Sequence, residues 1–189
     1  MKIHLLSFIC ILLLSACSNS LVPAKTATAL NGSDQKLISV ACESSIYALR
    51  IAEAGTLRSA AHETKQLAEK SLENHKMILS QLSEIAGSKG IALPSDINLE
   101  ESKPWKEMVT QKGSLFDRSF IELCDKQNNY VLDIFTYISK RAKDADVRRA
   151  AKEILAYTSN PQNALADTQV SVAKKSSTSS TIKTTAYIP

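Results

Sequence analysis

One stretch constrains the fold more than any other. Between about residues 60 and 89, Ala68, Leu72, His75, Leu79, Leu82 and Ala86 recur at steps of 4-3-4-3-4. That spacing puts six side chains on one stripe of a helix lying nearly along its neighbours. A stripe of this kind is buried only against other helices, so the chain must supply them. Gly87, Gly90 and Leu93-Pro94 then give a stop.

The neighbouring segments share the helical period. Asp34 is placed to cap a first helix reaching about residue 58, with Ile38, Cys42, Ser45, Leu49 and Ala52 on one face. Residues 91–113 form a long connection, with a short helix from Pro104 to Gln111 and Trp105 set to cover the core. Ser114 with Asp117 three later resembles a capping box for a third long helix running to about residue 142. Phe116, Phe120, Leu123, Cys124, Val131, Ile134, Phe135 and Ile138 form its broad apolar face. Asp144 is the cap expected for a fourth, carrying Val147, Ala150, Ala151, Ile154 and Leu155. Pro161 predicts an interruption before it continues to about residue 170. No strand-like alternation competes, and aromatics at 5% suit a sheet protein poorly. The expectation is an all-α, four-helix bundle.

The ends read differently. Residues 1–16 hold a basic start and the apolar run Leu5 to Ala16, too short to span a bilayer. The run ends Leu14-Ser15-Ala16-Cys17, which resembles a bacterial lipobox. Cys17 is therefore the expected lipidation site and first residue of the mature chain, partnered with membrane lipid through its acyl chains. Ser18, where an Asp would favour inner-membrane retention, leans the expectation toward the outer membrane, facing the periplasm. Residues 17–33 read as a flexible tether, 34–170 as the bundle domain, and 171–189, with nine Ser/Thr and no acid, as a disordered tail.

This division changes the meaning of the charge. The chain carries a net +4, which taken whole suggests an anionic partner. Residues 34–170 keep 18 basic and all 19 acidic residues, a net of −1. The basicity belongs to the ends, and no nucleic-acid partner is expected. A basic cluster remains at Lys140, Arg141, Lys143, Arg148 and Arg149. Those near a helix C-terminus favour its dipole, and contact with an anionic lipid or glycan is the functional alternative.

Two histidines lie in the mature chain, thirteen residues apart, and so cannot share a helical-face site as an i, i+4 pair does. His75 sits on the apolar seam. It reads as a core histidine bonded to a neighbouring Tyr or Asn, with metal ligation and pH sensing as weaker alternatives. His62 lies off the seam. Asn128 falls on the stripe Ile121, Cys124, Asn128, Val131, Phe135 and reads as a buried register-setting residue. No Cys-x-x-Cys, phosphate loop or serine nucleophile motif appears.

Several anchors, taken in order, resemble a bacterial exported family, domain of unknown function 4142. They are Leu67-Ala68, Glu73-Asn74-His75, Lys89-Gly90-Ile91-Ala92-Leu93-Pro94, and Gly113-x-x-Phe116-Asp117-Arg118-Ser119-Phe120, with Phe135 beyond. The resemblance implies a ferritin-like bundle and an outer-membrane association. Three of the family's usual positions differ: Asn128 replaces a helix-central His, Leu155-Ala156 lacks the following His, and Ala48 stands near a usual acid. A ferritin-like di-metal centre also needs Glu-x-x-His pairs; Ser59 precedes His62 and Leu72 precedes His75 instead. His75 is the one surviving ligand candidate, and no cofactor is expected.

Cys42 and Cys124 offer a disulfide between the first and third long helices, in a compartment that permits one. They reach the same level only if those helices run parallel. A ferritin-like order makes them antiparallel and offsets the thiols by about 10 Å, leaving two buried thiols as the alternative. The functional expectation is a non-enzymatic, lipid-anchored interaction or structural module of the cell envelope, bound to an envelope protein or glycan. The alternative is a metal-binding bundle centred on His75.

Overall fold

A computed structural model describes residues 30–160 and residue 163. It is all-helical, with no strand among the described residues. Five α-helices follow in order: α1 Gly32–Arg58, α2 His62–Lys89, α3 Lys103–Thr110, α4 Gly113–Arg141 and α5 Ala145–Ser159, with a 3-10 turn at Leu99–Glu101 before α3.

Capping chemistry explains most boundaries. Asn31, not Asp34, caps α1: its side chain accepts from the N–H groups of Ser33 and Asp34. The helix therefore starts three residues earlier than expected. α2 ends as expected at Gly90, whose φ of 67° suits a residue without Cβ. The Ile91 N–H reaches back to the Ala86 carbonyl and completes the stop. Ser102 caps α3, and Pro104 lies in its first turn. Asp144 caps α5 through the N–H groups of Asp146 and Val147. α4 begins without a side-chain cap, so the Ser114–Asp117 box does not form. The expected continuation beyond Pro161, the tail, the tether through residue 29 and Cys17 lie outside the described residues.

α1 packs on α2 and α4, and α5 packs on α4 and α2. The ring order is thus α1, α2, α5, α4, with α2 and α4 on a diagonal. Three-residue turns make α1–α2 and α4–α5 hairpins. Residues 90–98 return along α1, where the Cys42 thiol faces the Pro94 carbonyl at 3.5 Å, and α3 covers part of α4.

Two buried carboxylates set the directions. Asp34, at the start of α1, accepts from the N–H groups of Lys143 and Asp144 at 3.1 and 2.7 Å. Asp117, at the start of α4, accepts from those of Ala60 and Ala61 at 2.9 and 2.8 Å. α4 therefore runs antiparallel to α1 and parallel to α2. An 83-residue step carries Asp34 to Asp117 and the Ala60–Ala61 turn to Lys143–Asp144. The same step relates the buried pairs Ala41/Cys124, Ser45/Asn128, Ala48/Val131, Ala52/Phe135, Ala68/Ala151 and His75/Thr158. The two hairpins are structural repeats of one unit.

The core has two lobes. One gathers Ile38, Cys42, Ile78, Leu82, Phe135 and Ile154; the other gathers Ile51, Ala68, Met108, Phe116, Phe120 and Cys124. Of the expected seam on α2, Ala68, His75, Leu82 and Ala86 are buried, and the stripe shifts by one residue at the other two positions. Ser71 and Ile78 are buried where Leu72 and Leu79 were expected, and Leu72 and Leu79 are half-buried. Gly55 lets α1 approach closely: a Cβ there would collide with the Phe120 ring and lie 2.7 Å from the Ala68 Cβ.

Candidate functional site

The diagonal across the core carries a polar ladder. α2 contributes Ser71 and His75, one turn apart, and α4 contributes Cys124 and Asn128, one turn apart. His75 is fully buried, and Ser71, Cys124 and Asn128 are 1–2% exposed. His75 Nε2 lies 2.9 Å from Asn128 Oδ1. Asn128 Nδ2 donates to Cys124 Sγ at 3.6 Å, and Cys124 Sγ donates to Ser71 Oγ at 3.6 Å.

This order fixes the protonation of the ring. Asn128 turns its amide nitrogen to the thiol, so its oxygen faces the imidazole and Nε2 must carry the hydrogen. Nδ1 then holds a lone pair, and it has no hydrogen-bond partner. Burial, only partly offset by the bond to Asn128, lowers the His75 pKa to about 4. The ring is neutral at pH 7. Burial likewise pushes the Cys124 thiol up to about 11, against its bonds to Ser71 and Asn128. Both groups are held in their uncharged forms.

Asn74 lies beside the ladder. It donates to the Asn163 carbonyl at 2.9 Å and accepts from the Tyr157 hydroxyl at 3.3 Å, tying α2 to the far end of α5. In the sequence Asn74 stands only within the anchor Glu73-Asn74-His75, and its place one step off the apolar seam is the signal of this role. The Lys89 ammonium was missed as well. Its side chain is 9% exposed and lies 2.8 Å from both Asp144 and Asp146.

The remaining expected residues fall as follows. Asn128 is buried on its stripe and is the partner of His75. His62 is exposed at the first position of α2. Cys42 and Cys124 are both free buried thiols in different lobes of the core, so no bridge joins them. The antiparallel register is the reason: Asp34 sits beside Lys143 and Ala60 beside Asp117, which sets Cys42 level with Phe135. Cys124 lies eleven residues further along α4, about 16 Å away. Of the basic cluster, Arg148 donates to the carbonyls of Ala142 and Lys143, and Arg149 pairs with Asp146. Lys140, Arg141 and Lys143 point to solvent. Among the described residues, no three His, Cys, Asp or Glu side chains gather to hold a metal ion. No described helix is long and apolar enough to cross a membrane.

These features define an all-helical domain of two repeated hairpins around a polar ladder. The chain belongs to the family described as a domain of unknown function, DUF4142, whose model matches residues 20–167. A solved structure, the DUF305 fragment from Deinococcus radiodurans, is similar in fold, with a TM-score of 0.64 at 16% identity. The similarity covers 78% of this chain and 99% of that one. No curated protein matches the sequence.

Proposed function

We propose that the protein is a lipid-anchored module of the bacterial cell envelope, its described domain a ferritin-like four-helix bundle serving a non-enzymatic interaction or structural role. The observation that carries this reading is the sequence Leu14-Ser15-Ala16-Cys17 after the apolar run. The family model begins at residue 20, three residues past Cys17, which suits a domain carried behind an acylated cysteine. Each acyl CH₂ buried in a bilayer adds ~0.8 kcal/mol, so more than one chain on Cys17 holds the domain stably. The ring order of the four long helices supports a bundle, and the long 90–112 connection supports the ferritin-like order. Ser18 favours the outer membrane, facing the periplasm. Within the core, the titratable groups serve packing: the ladder keeps His75 and Cys124 neutral, and Asp34 and Asp117 are taken up by backbone N–H groups. Fractionation of cells making the native chain or Cys17→Ser tests the reading. The native chain is expected in the membrane fraction after a high-salt wash and the variant outside it; equal partition overturns the anchor.

One observation favours a second reading, a metal-binding bundle centred on His75. Its Nδ1 is buried and without a partner. Stoichiometric iron, manganese or zinc in the purified protein, lost in His75→Ala, would establish that reading in place of the first.

A further inference from the structure

The first turn of α1 and the last turns of α4 meet at a groove of about 710 Å³. Its apolar wall is Leu37, Val40, Ile134 and Tyr137. Its rim carries Lys36, Arg141 and Lys143. Two acids share it: Asp133, and Asp34, whose carboxylate is buried against the N–H groups of Lys143 and Asp144. The three cations form no ion pair among the described residues. Tyr137 stays 55% exposed. An apolar wall with a phenol at its edge and cations around it matches the chemistry of a headgroup layer, where amphipathic rings and basic side chains settle.

The position matters as much as the composition. The groove lies at the end where the chain enters α1. Cys17 precedes Leu30 by 13 residues, a span of at most about 45 Å. A domain held on so short a leash meets the bilayer at high effective concentration, so a weakly attractive face is enough to orient it. Residues 34–170 carry a net −1, so an anionic surface does not attract the domain as a whole and selects a local cationic patch.

We propose that this groove is the face the domain lays on a bilayer containing anionic lipid, with Tyr137 among the headgroups and Lys36, Arg141 and Lys143 on their phosphates. The proposal rests on the lipid-anchored reading above.

The test reconstitutes the acylated native chain into vesicles of phosphatidylcholine alone or with roughly one-third phosphatidylglycerol. After a salt wash, lysine acetylation is followed by mass spectrometry. Lys36 and Lys143 are expected to label about fivefold more slowly on the anionic vesicles, and about 0.5 M salt is expected to erase the difference. Lys106, exposed on α3, is the internal control and should not change. Arg141→Gln with Tyr137→Ser, both at exposed positions, should restore fast labelling of Lys36. A chain that is retained but labels equally on both vesicles overturns the docking and leaves the anchor standing. Salt-insensitive protection on both vesicles overturns it in favour of a second copy, or another segment of the chain, lying in the groove. A chain that washes off both overturns the anchor, and the docking falls with it.

Discussion

Asp34 and Asp117 hold one relationship at opposite ends of the fold: each carboxylate closes the turn of the other hairpin. Each accepts two backbone N–H groups that no helix satisfies. Replacing either with Ala leaves two part-buried donors without their acceptor and is expected to cost about 1–3 kcal/mol. Asp→Asn, which keeps one acceptor oxygen, should cost less. Urea unfolding measures both, with the midpoint falling and the slope unchanged. An Ala variant within about 0.5 kcal/mol of the native chain would show that the clamps do not hold the hairpins.

The neutral imidazole makes stability depend on pH. His75 titrates near 4 when folded, and near 6.5 in an unfolded chain. Its contribution is fully present above 6.5 and is lost as pH falls toward 4, because the unfolded state binds the extra proton. The slope in that window is about 1.4 kcal/mol per pH unit. Moving from pH 6.5 to pH 5 should therefore cost about 2 kcal/mol, and His75→Gln should flatten most of that slope. Native and variant curves of equal slope would mean that the ring is not buried neutral.

Gly55 tests the packing between α1 and its neighbours. Gly→Ala inside an exposed helix is favourable by about 1 kcal/mol. Here the new methyl would collide with the Phe120 ring and meet the Ala68 Cβ at 2.7 Å. Phe120 is fully buried and has no room to give way. The substitution is expected to destabilise by about 1–3 kcal/mol. Gly87, where a Cβ meets nothing within 4 Å, provides the comparison: Gly87→Ala should be neutral or stabilising. Thermal denaturation of the pair shows whether the sign reverses between the two glycines.

Lys89 joins the end of α2 to the start of α5. Its bonds to Asp144 and then Asp146 raise the pKa of the ammonium. Burial pushes the Asp144 carboxyl up, yet Lys89 and the N–H groups of Val147 and Asp146 outweigh it and hold the pKa below its ordinary value. That share of stability is present above the unfolded carboxyl pKa and disappears as pH falls through the folded one. Lys89→Met keeps the stem and removes the charge, at an expected cost of about 1–3 kcal/mol in chemical denaturation at pH 7. Protection of α5 amides in hydrogen exchange should fall with it; unchanged protection would place the docking of α5 elsewhere.

The local parts of this fold were legible because local chemistry decides them. Gly90, Pro104 and Asp144 act on their own helix ends, and the expected boundaries there fell within a residue or two. Asp34 and Asp117 look like caps in sequence, but both are drawn into the opposite turn. A carboxylate in the first turn does not reveal whether its own helix or a distant backbone supplies the donors. The 83-residue repeat stayed hidden because its paired positions share burial more than identity, as Ala52/Phe135 and His75/Thr158 show. Of the candidate site, His75 and Asn128 were each singled out, yet periodicity places residues on faces and not on diagonals, so it could not pair them. Ser71 and Asn74 were missed because a hydrophobic seam assigns polar neighbours to the surface. The offset that keeps Cys42 and Cys124 apart depends on helix direction, which the turn clamps set.

The anchor is tested most directly by the intact mass of the chain extracted from the membrane fraction. Acylation predicts a mature chain that has lost residues 1–16 and begins at Cys17, with the mass of its acyl chains added. A chain that begins at another residue, or that carries an unmodified Cys17, would contradict it.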